Sequence, residues 1–177
     1  MKSTGIIRRV DDLGRLVIPK EIRKNLRIKE GDNLEIFING EEILLKKYSM
    51  MNKINDLAQE LTDAVYTFMK HNIFITDTDQ VVAGSGPLKK IFLGQDISDF
   101  ISDAIKRRDK MVQGHFKELK FTKDAEEITC SYVMSTILVN GEAMGMIIVL
   151  SKDEKLGDSE MQIASIVSSF MTKYLEE

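Results

Sequence analysis

The feature that most constrains this chain is a short basic segment at its start. Within the first 29 residues, nine Lys and Arg stand against three acids, a balance of +6, whereas the whole chain carries −3. Residues 1–50 carry +3 (11 basic, 8 acidic) and residues 51–177 carry −6 (14 basic, 20 acidic). Segregated positive charge is an electrostatic footprint for phosphate. Because the two segments carry opposite net charge, the sequence predicts two domains, 1–50 and 51–177, with a joint at Ser49–Asn52.

The first domain is too small to be stable by itself. A segment of about 50 residues usually needs a metal, disulfides or a partner chain. The single Cys130 cannot form an intrachain disulfide, and no Cys/His cluster is present, so neither a metal nor a cofactor is expected. Oligomerisation is therefore the expected source of stability. One cysteine fits a reducing cytosol, and no apolar run approaches the roughly 20 residues that span a bilayer, so we expect a cytoplasmic protein without membrane contact.

Short β-branched runs and turn residues predict the order ββαββ in the first domain. The turn Asp11–Gly14 combines an Asp that bonds the local backbone with a Gly that takes positive φ, and Asn39-Gly40 is a strong hairpin signal. Pro19 suits the first turn of a helix. The predicted elements are strands 5–10 and 15–18, helix 20–26, and strands 34–38 and 42–47.

The second domain is predicted to be α+β, with helices packed on an antiparallel sheet. Apolar residues at helical spacing predict a helix from Lys53 to about Met69, and Asp158 or Ser159 can cap a final helix that runs to Leu175. Asn140-Gly141 joins two long strands. The remaining predicted elements are strands 73–76, 81–83, 116–121, 128–139 and 143–150, and helix 97–108.

Five basic side chains of the first domain are candidates for nucleic-acid contact. Arg8, Arg9 and Arg15 flank the Asp11–Gly14 turn, so a hairpin tip would carry all three, and Arg23 and Lys24 sit on the short helix. Arginine contacts phosphate or pairs bidentately with guanine edges, and a β-ribbon can enter the major groove. From composition alone, DNA binding and a solvated basic face are equally favoured.

A resemblance to a known family favours DNA binding. Residues 1–48 resemble the AbrB-type swapped-hairpin DNA-binding domain of bacterial transition-state regulators. The element DDLGR-LVIPKEIRK is specific for that family. The resemblance is carried by Lys2-Ser3-Thr4-Gly5-Ile6, Arg8-Arg9, Asp11–Arg15, Val17-Ile18-Pro19, Glu21-Ile22-Arg23, Leu26, Glu30-Gly31-Asp32, Leu34-Glu35-Ile36 and Leu44–Tyr48.

The resemblance implies a fold, a partner and contact residues. Two chains of that family interleave their hairpins into one β-barrel, which agrees with the size argument. The family's DNA-contacting positions map by motif onto Arg8, Arg15, Arg23 and Lys24, and Arg9 fits a basic position of close relatives. Lys24 stands where the family often has Arg. The implied partner is A/T-rich, deformable promoter DNA, bound with loose specificity through backbone and shape readout.

The full length resembles sporulation regulators that join such a head to a C-terminal GAF domain and act in the forespore. Asn140-Gly141 and residues 145–153 resemble the last hairpin of that GAF domain. The resemblance implies a transcription regulator of sporulation genes, activator or repressor, that dimerises through residues 1–50 and forms a homotetramer through the GAF-like domain. The terminal helices are expected to bury their apolar sides within the chain, against a second subunit, or both.

GAF domains commonly bind small ligands in a pocket over the sheet, so the resemblance also provides candidate pocket residues. The alternative is that these residues serve packing and turns, and it is favoured because apolar positions at sheet spacing usually belong to the core. The candidates are Ile75, Asp77, Ser85, Gly86, Tyr132 and Ser135.

Two other functional classes have less support. An antitoxin-like, protein-binding module could share the head, but such antitoxins use a disordered C-terminal tail, and this C-terminal half is patterned to form a core. An enzyme is not expected, because nothing in the sequence marks a nucleophile with its base, a metal cluster or a paired acid. A buried, inert thiol is the favoured interpretation of Cys130.

Overall fold

The computed structural model describes residues 4–47 and 55–176 and divides into two compact units, Met1–Tyr48 and Ser49–Glu177. The predicted joint Ser49–Asn52 and the predicted helix start at Lys53 lie outside the described residues.

The first unit contains one short helix and one hairpin. Helix α1 spans Lys20–Asn25, and strands β1 (Leu34–Asn39) and β2 (Glu42–Lys47) pair antiparallel. Pro19 stands at the helix N-cap position, where its missing N–H costs nothing. Gly40, at φ +61°, and Glu41 form the two-residue turn between the paired residues Asn39 and Glu42, one residue later than the predicted Asn39-Gly40 turn. The predicted helix and hairpin are therefore confirmed.

The prediction of strands at 5–10 and 15–18 was wrong. Both segments run without strand pairing in the described chain. One backbone bond closes them beside the turn, from the Asp11 N–H to the Arg15 carbonyl at 3.1 Å. β structure needs a hydrogen-bonded neighbour along its length, and a β-branched sequence does not supply one by itself.

The second unit is α+β, as predicted. It consists of α2 (Asn55–Met69), β3 (Asn72–Thr76), β4 (Val81–Ser85), α3 (Lys89–Phe92), α4 (Asp99–Lys106), β5 (Lys110–Leu119), β6 (Ile128–Val139), β7 (Glu142–Ser151) and α5 (Asp158–Glu176).

The five strands form one antiparallel sheet in the order β4-β3-β7-β6-β5. One face packs on α2 and α5 through a core that includes Ile75, Val133 and Met171. The opposite face packs on α3 and α4 through a second core that includes Phe74 and Ile101. The central strand β7 is covered on both faces, which explains its unbroken apolar run Met146–Leu150.

Two predicted boundaries were wrong, and one element was missed. The helix predicted over 97–108 begins at Asp99, because the Ser98 hydroxyl accepts the Ile101 N–H at 3.3 Å and caps it. The strand predicted over 116–121 spans Lys110–Leu119 instead, because its first half, Lys-Met-Val-Gln-Gly, has no alternation of apolar and polar residues. The single-turn helix α3 was missed because four residues carry too little periodicity.

Candidate nucleic-acid interface

The turn between the first two extended segments is built by one aspartate. Asp11 Oδ1 accepts the Leu13 N–H at 3.0 Å and the Arg15 N–H at 2.7 Å. Gly14 has φ +77° and donates its N–H to the Asp11 carbonyl at 3.0 Å. The predicted roles of Asp11 and Gly14 are confirmed, and the turn is closed by backbone and side-chain bonds together.

Arg15 is attached to the same aspartate. Its Nε donates to Asp11 Oδ2 at 2.7 Å, and its side chain remains 70% exposed. The pKa of the Asp11 carboxyl is lowered, first by the Arg15 backbone N–H and then by the Arg15 side chain. The Asp11 carboxylate is therefore ionised at neutral pH, and most of the Arg15 side chain is open to solvent.

The other four candidates are also exposed in the first unit. Arg8 and Arg9 lie on the segment before the turn, and Arg8 Nη1 donates to the Ile7 carbonyl at 3.3 Å. Arg23 and Lys24 occupy the last turn of α1, where positive charge opposes the negative end of the helix dipole. The helix then ends through the Ile28 N–H, which donates to the Arg23 carbonyl at 2.8 Å.

The first unit exposes most of its apolar side chains. Among its described residues Pro19 alone is buried, while Ile7 is 89% and Ile38 80% exposed. An open groove of about 380 Å³ runs over this surface, lined by Ile6, Arg8, Leu16, Val17, Ile18, Pro19, Ile22, Leu26, Ile28, Ile43 and Leu45. Apolar surface of this kind marks an interaction site.

The structure does not bring the six candidate ligand residues of the second unit together. Ile75 lies in the core under α2 and α5, whereas Tyr132 lies in the core on the opposite face of the sheet. Gly86, at φ +114°, has no room for a Cβ, which would stand 2.6 Å from Asn72 Oδ1.

The three polar candidates form hydrogen bonds within the second unit. Asp77 Oδ1 accepts the N–H groups of Asp79 and Gln80, both at 2.7 Å. Ser85 Oγ bonds Asp63, and Ser135 Oγ lies 2.8 Å from Ser168 Oγ. The ligand-binding role of the six residues stays a prediction.

Sequence reasoning missed the partner of Arg15 and the polar residues of α2. The signal for the first was present, because Asp11 and Arg15 stand four residues apart across a turn. Gln59 and Asp63 had no comparable signal, since their partners Gly84 and Ser85 lie more than twenty residues away.

Cys130 is buried, and desolvation raises the pKa of its thiol to about 11. Within residues 4–47 and 55–176, no group of three or more His, Cys, Asp or Glu is placed to hold a metal ion. None of the helices in these two ranges has the length and apolarity to cross a bilayer.

Two family models match the chain. The model described as stage V sporulation protein T C-terminal, transcription factor, matches residues 53–176. The model described as antidote-toxin recognition MazE, bacterial antitoxin, matches residues 7–53.

Similar proteins cover the whole chain and each unit. Stage V sporulation protein T of Bacillus subtilis is 39% identical over 178 residues, with 100% of both chains covered. The transition state regulatory protein AbrB of the same organism is 62% identical over 48 residues, which are 27% of this chain and 50% of AbrB. The GAF domain of an Acinetobacter phosphoenolpyruvate-protein phosphotransferase superposes with a TM-score of 0.56 at 11% identity, over 73% of this chain and 83% of that one.

An AbrB-type DNA-recognition unit followed by a GAF fold defines a class of bacterial transcription regulators. The chain belongs to one family of that class, the stage V sporulation protein T transcription factors. The predicted fold class and the predicted function, a sporulation regulator with an N-terminal DNA-binding domain, are thereby confirmed.

Proposed function

We propose that this protein regulates sporulation genes by binding A/T-rich promoter DNA through Arg8, Arg9, Arg15, Arg23 and Lys24. The observation that carries the proposal is the Asp11–Gly14 turn, which presents arginines from both of its flanks on an exposed surface. Arginines on a narrow turn can contact phosphates on either side of a groove, and such contacts fix register with little sequence preference. We infer a binding role rather than a catalytic one. We also infer that the protein acts in the cytoplasm of the forespore, as the family implies.

The DNA-binding form is a dimer of the first unit in which two chains interleave residues 1–50 into one barrel. The support is the exposed apolar surface, since a folded domain normally buries such side chains. Residues 5–10 and 15–18 are extended and β-branched, so a second chain can supply the neighbours that a strand ladder needs. The same association would cover the groove along Pro19 and Leu45.

A second copy also covers the outer side of α2 and α5, which yields a tetramer. Phe68 is 82% exposed and Ile166 67% exposed, and both line an almost wholly apolar groove of about 400 Å³ between the two helices. A second copy presents the same surface, and a two-fold axis makes such a surface self-complementary. Association here would regulate DNA binding by bringing two heads together. Modulation by a small molecule stays a prediction.

Fluorescence anisotropy with an A/T-rich promoter fragment across a salt series tests the DNA-binding proposal. Wild type should bind tightly at low salt, with affinity that falls steeply as salt rises. Arg15→Ala should weaken binding. If a phosphate contact is lost, the negative slope of log K against log salt should become shallower by about 0.9. The matched control is Lys117→Ala, which removes one positive charge from an exposed position on β5.

Unchanged affinity of Arg15→Ala at moderate salt would contradict the role of that residue. Absence of binding at low salt would favour the antitoxin-like alternative, which has the MazE match over residues 7–53 in its favour. Against that alternative stands the second unit, whose sheet is packed on both faces and is no disordered tail.

A further inference from the structure

We propose that Asp11 is a positioning residue for DNA recognition: it holds the Arg15 guanidinium so that its Nη1/Nη2 edge is presented to a pair of adjacent acceptors on DNA. The inference rests on the proposed DNA contact by Arg15 and identifies the group that prepares this contact.

Asp11 and Arg15 are joined by three bonds, which fix backbone and side chain at once. The Asp11 N–H donates to the Arg15 carbonyl at 3.1 Å, and the Arg15 N–H donates to Asp11 Oδ1 at 2.7 Å. The third bond runs from Arg15 Nε to Asp11 Oδ2 at 2.7 Å. The two carboxylate oxygens therefore have different roles, since Oδ1 closes the turn and Oδ2 orients the guanidinium.

The donors that remain free for DNA follow from the shape of the guanidinium. Arginine has five N–H donors in one plane, and the pair with Asp11 uses the one on Nε. Four N–H donors remain on Nη1 and Nη2. They lie in one plane, so the two nitrogens can bind two neighbouring acceptor atoms at the same time. Two phosphate oxygens or guanine O6 and N7 have this arrangement.

Solvent exposure argues that the pair serves orientation rather than stability. The Arg15 side chain is 70% exposed and that of Asp11 36% exposed. Exposed ion pairs contribute little to folding. A carboxylate beside a DNA-binding arginine also repels phosphate, so its presence calls for a compensating role. Orientation of a flexible side chain before binding is such a role. The conformational entropy of Arg15 is then already reduced in the free protein, so less of it is lost when DNA binds.

Asp11→Asn separates the two roles of the carboxylate. Its amide oxygen can still accept the Leu13 and Arg15 N–H groups, and asparagine suits such turns. Its amide nitrogen cannot accept from Arg15 Nε. The matched control is Asp12→Asn, which removes the same charge one residue further along. The Arg15→Ala single variant and the Asp11→Asn/Arg15→Ala double variant complete a double-mutant cycle.

The proposal predicts that removal of the Asp11 charge weakens DNA binding, whereas charge removal by itself would strengthen it. Asp11→Asn should weaken DNA binding on the order of threefold to tenfold, although the protein becomes more positive. Asp12→Asn should leave affinity unchanged or raise it. In the Arg15→Ala background, Asp11→Asn should have no weakening effect. In the free protein, the Arg15 Nε–H resonance should exchange slowly with solvent, and faster in Asp11→Asn, with the hairpin resonances unchanged.

Three outcomes overturn the proposal. Wild-type or tighter binding by Asp11→Asn shows that orientation is not needed. A loss that persists undiminished in the Arg15→Ala background shows that Asp11 acts on something other than Arg15. Unchanged binding by Arg15→Ala removes the DNA contact itself and the positioning role with it, and this outcome alone also contradicts the proposed contact.

A modified DNA fragment identifies the acceptors. A fragment with 7-deazaguanine in place of guanine lacks the N7 acceptor. Loss of the Asp11–Arg15 coupling on this fragment assigns the fork to a guanine edge. Coupling that survives, together with a salt slope about 0.9 smaller for Arg15→Ala, assigns it to a phosphate. Both results support the orientation of Arg15 by Asp11.

Discussion

Gln59 on α2 and Gly84 on β4 form a reciprocal amide pair. Gln59 Nε2 donates to the Gly84 carbonyl at 3.0 Å, and the Gly84 N–H donates to Gln59 Oε1 at 3.4 Å. β4 is an edge strand, so its outward backbone groups need a partner from outside the sheet. The side chain of Gln59 takes the place of a neighbouring strand and attaches α2 to the sheet.

Gln59→Glu should destabilise the second unit by about 1–3 kcal/mol at pH 7, because a carboxylate cannot donate to the Gly84 carbonyl. It also places a second negative charge near Asp63, which Gln59 Nε2 contacts at 3.0 Å. Urea unfolding followed by far-UV circular dichroism measures the loss. Gln162→Glu, an exposed change on α5, is the control and should stay within about 0.5 kcal/mol. Equal stability of the two variants would show that the amide pair contributes nothing.

Asp63 should make the stability of the second unit depend on pH in the acid range. The Ser85 hydroxyl, and after it Gln59, holds the pKa of the Asp63 carboxyl below 3.8 in the folded protein. A folded pKa below the unfolded one gives stabilisation that is present above pH 3.8 and is lost as pH falls through the lower folded value. Thermal melts between about pH 7 and pH 3 should fall less steeply for Asp63→Asn than for wild type. A wild-type slope for Asp63→Asn would contradict the assignment.

Much of the second unit could be predicted from its sequence because its cores follow simple periodicity. Cys130, Tyr132 and Met134 alternate with Val133 along β6, and each set faces its own core. The ring cluster of Phe74, Phe92 and Phe121, with centroids 4.7–5.6 Å apart, joins residues from three distant segments. Nothing local in the sequence marks such an association.

The candidate site shows the same division between local and distant information. The Asp11–Gly14 turn was predictable, because its chemistry is complete within five residues. The structure has no strands at 5–10 and 15–18, where the sequence predicted them, because strand pairing depends on neighbours that the local sequence does not contain. Local propensity described these segments as extended and left their partners undetermined.

Gly145→Ala should destabilise the sheet by about 1–3 kcal/mol. A Cβ at Gly145 on β7 would stand 2.0 Å from the carbonyl oxygen of Thr76 on the neighbouring strand β3. Backbone cannot move aside as the end of a side chain can, so the central strand pair must separate. Gly157→Ala is the matched control, since its Cβ meets no atom within 4 Å. Chemical denaturation of both variants measures the difference, and equal midpoints would contradict the steric argument.

Cys130 should react slowly with a thiol reagent in the folded protein. Burial raises the pKa of the thiol to about 11, so only a minute fraction is thiolate at about pH 8, and the sulfur is shielded from the reagent. Ellman's reagent should label native protein over hours and urea-unfolded protein within minutes. The signal has one source, since the chain has a single cysteine. Rapid labelling of the native protein would show that β6 opens readily.

Phe68→Asp should reduce the proposed tetramer to a dimer. Phe68 lines the apolar groove between α2 and α5 and is 82% exposed, so the change should spare the fold of the single chain while placing a charge in the proposed contact. Phe116→Asp is the matched control, an aromatic-to-acid change at a 42% exposed site on β5, outside that groove. Light scattering coupled to size exclusion should give four chains for wild type and Phe116→Asp, and two for Phe68→Asp. Four chains for both variants would place the contact elsewhere, and two for wild type would contradict the tetramer. If the dimer of Phe68→Asp still binds DNA, but less tightly on fragments long enough for two heads, the second unit acts by bringing heads together.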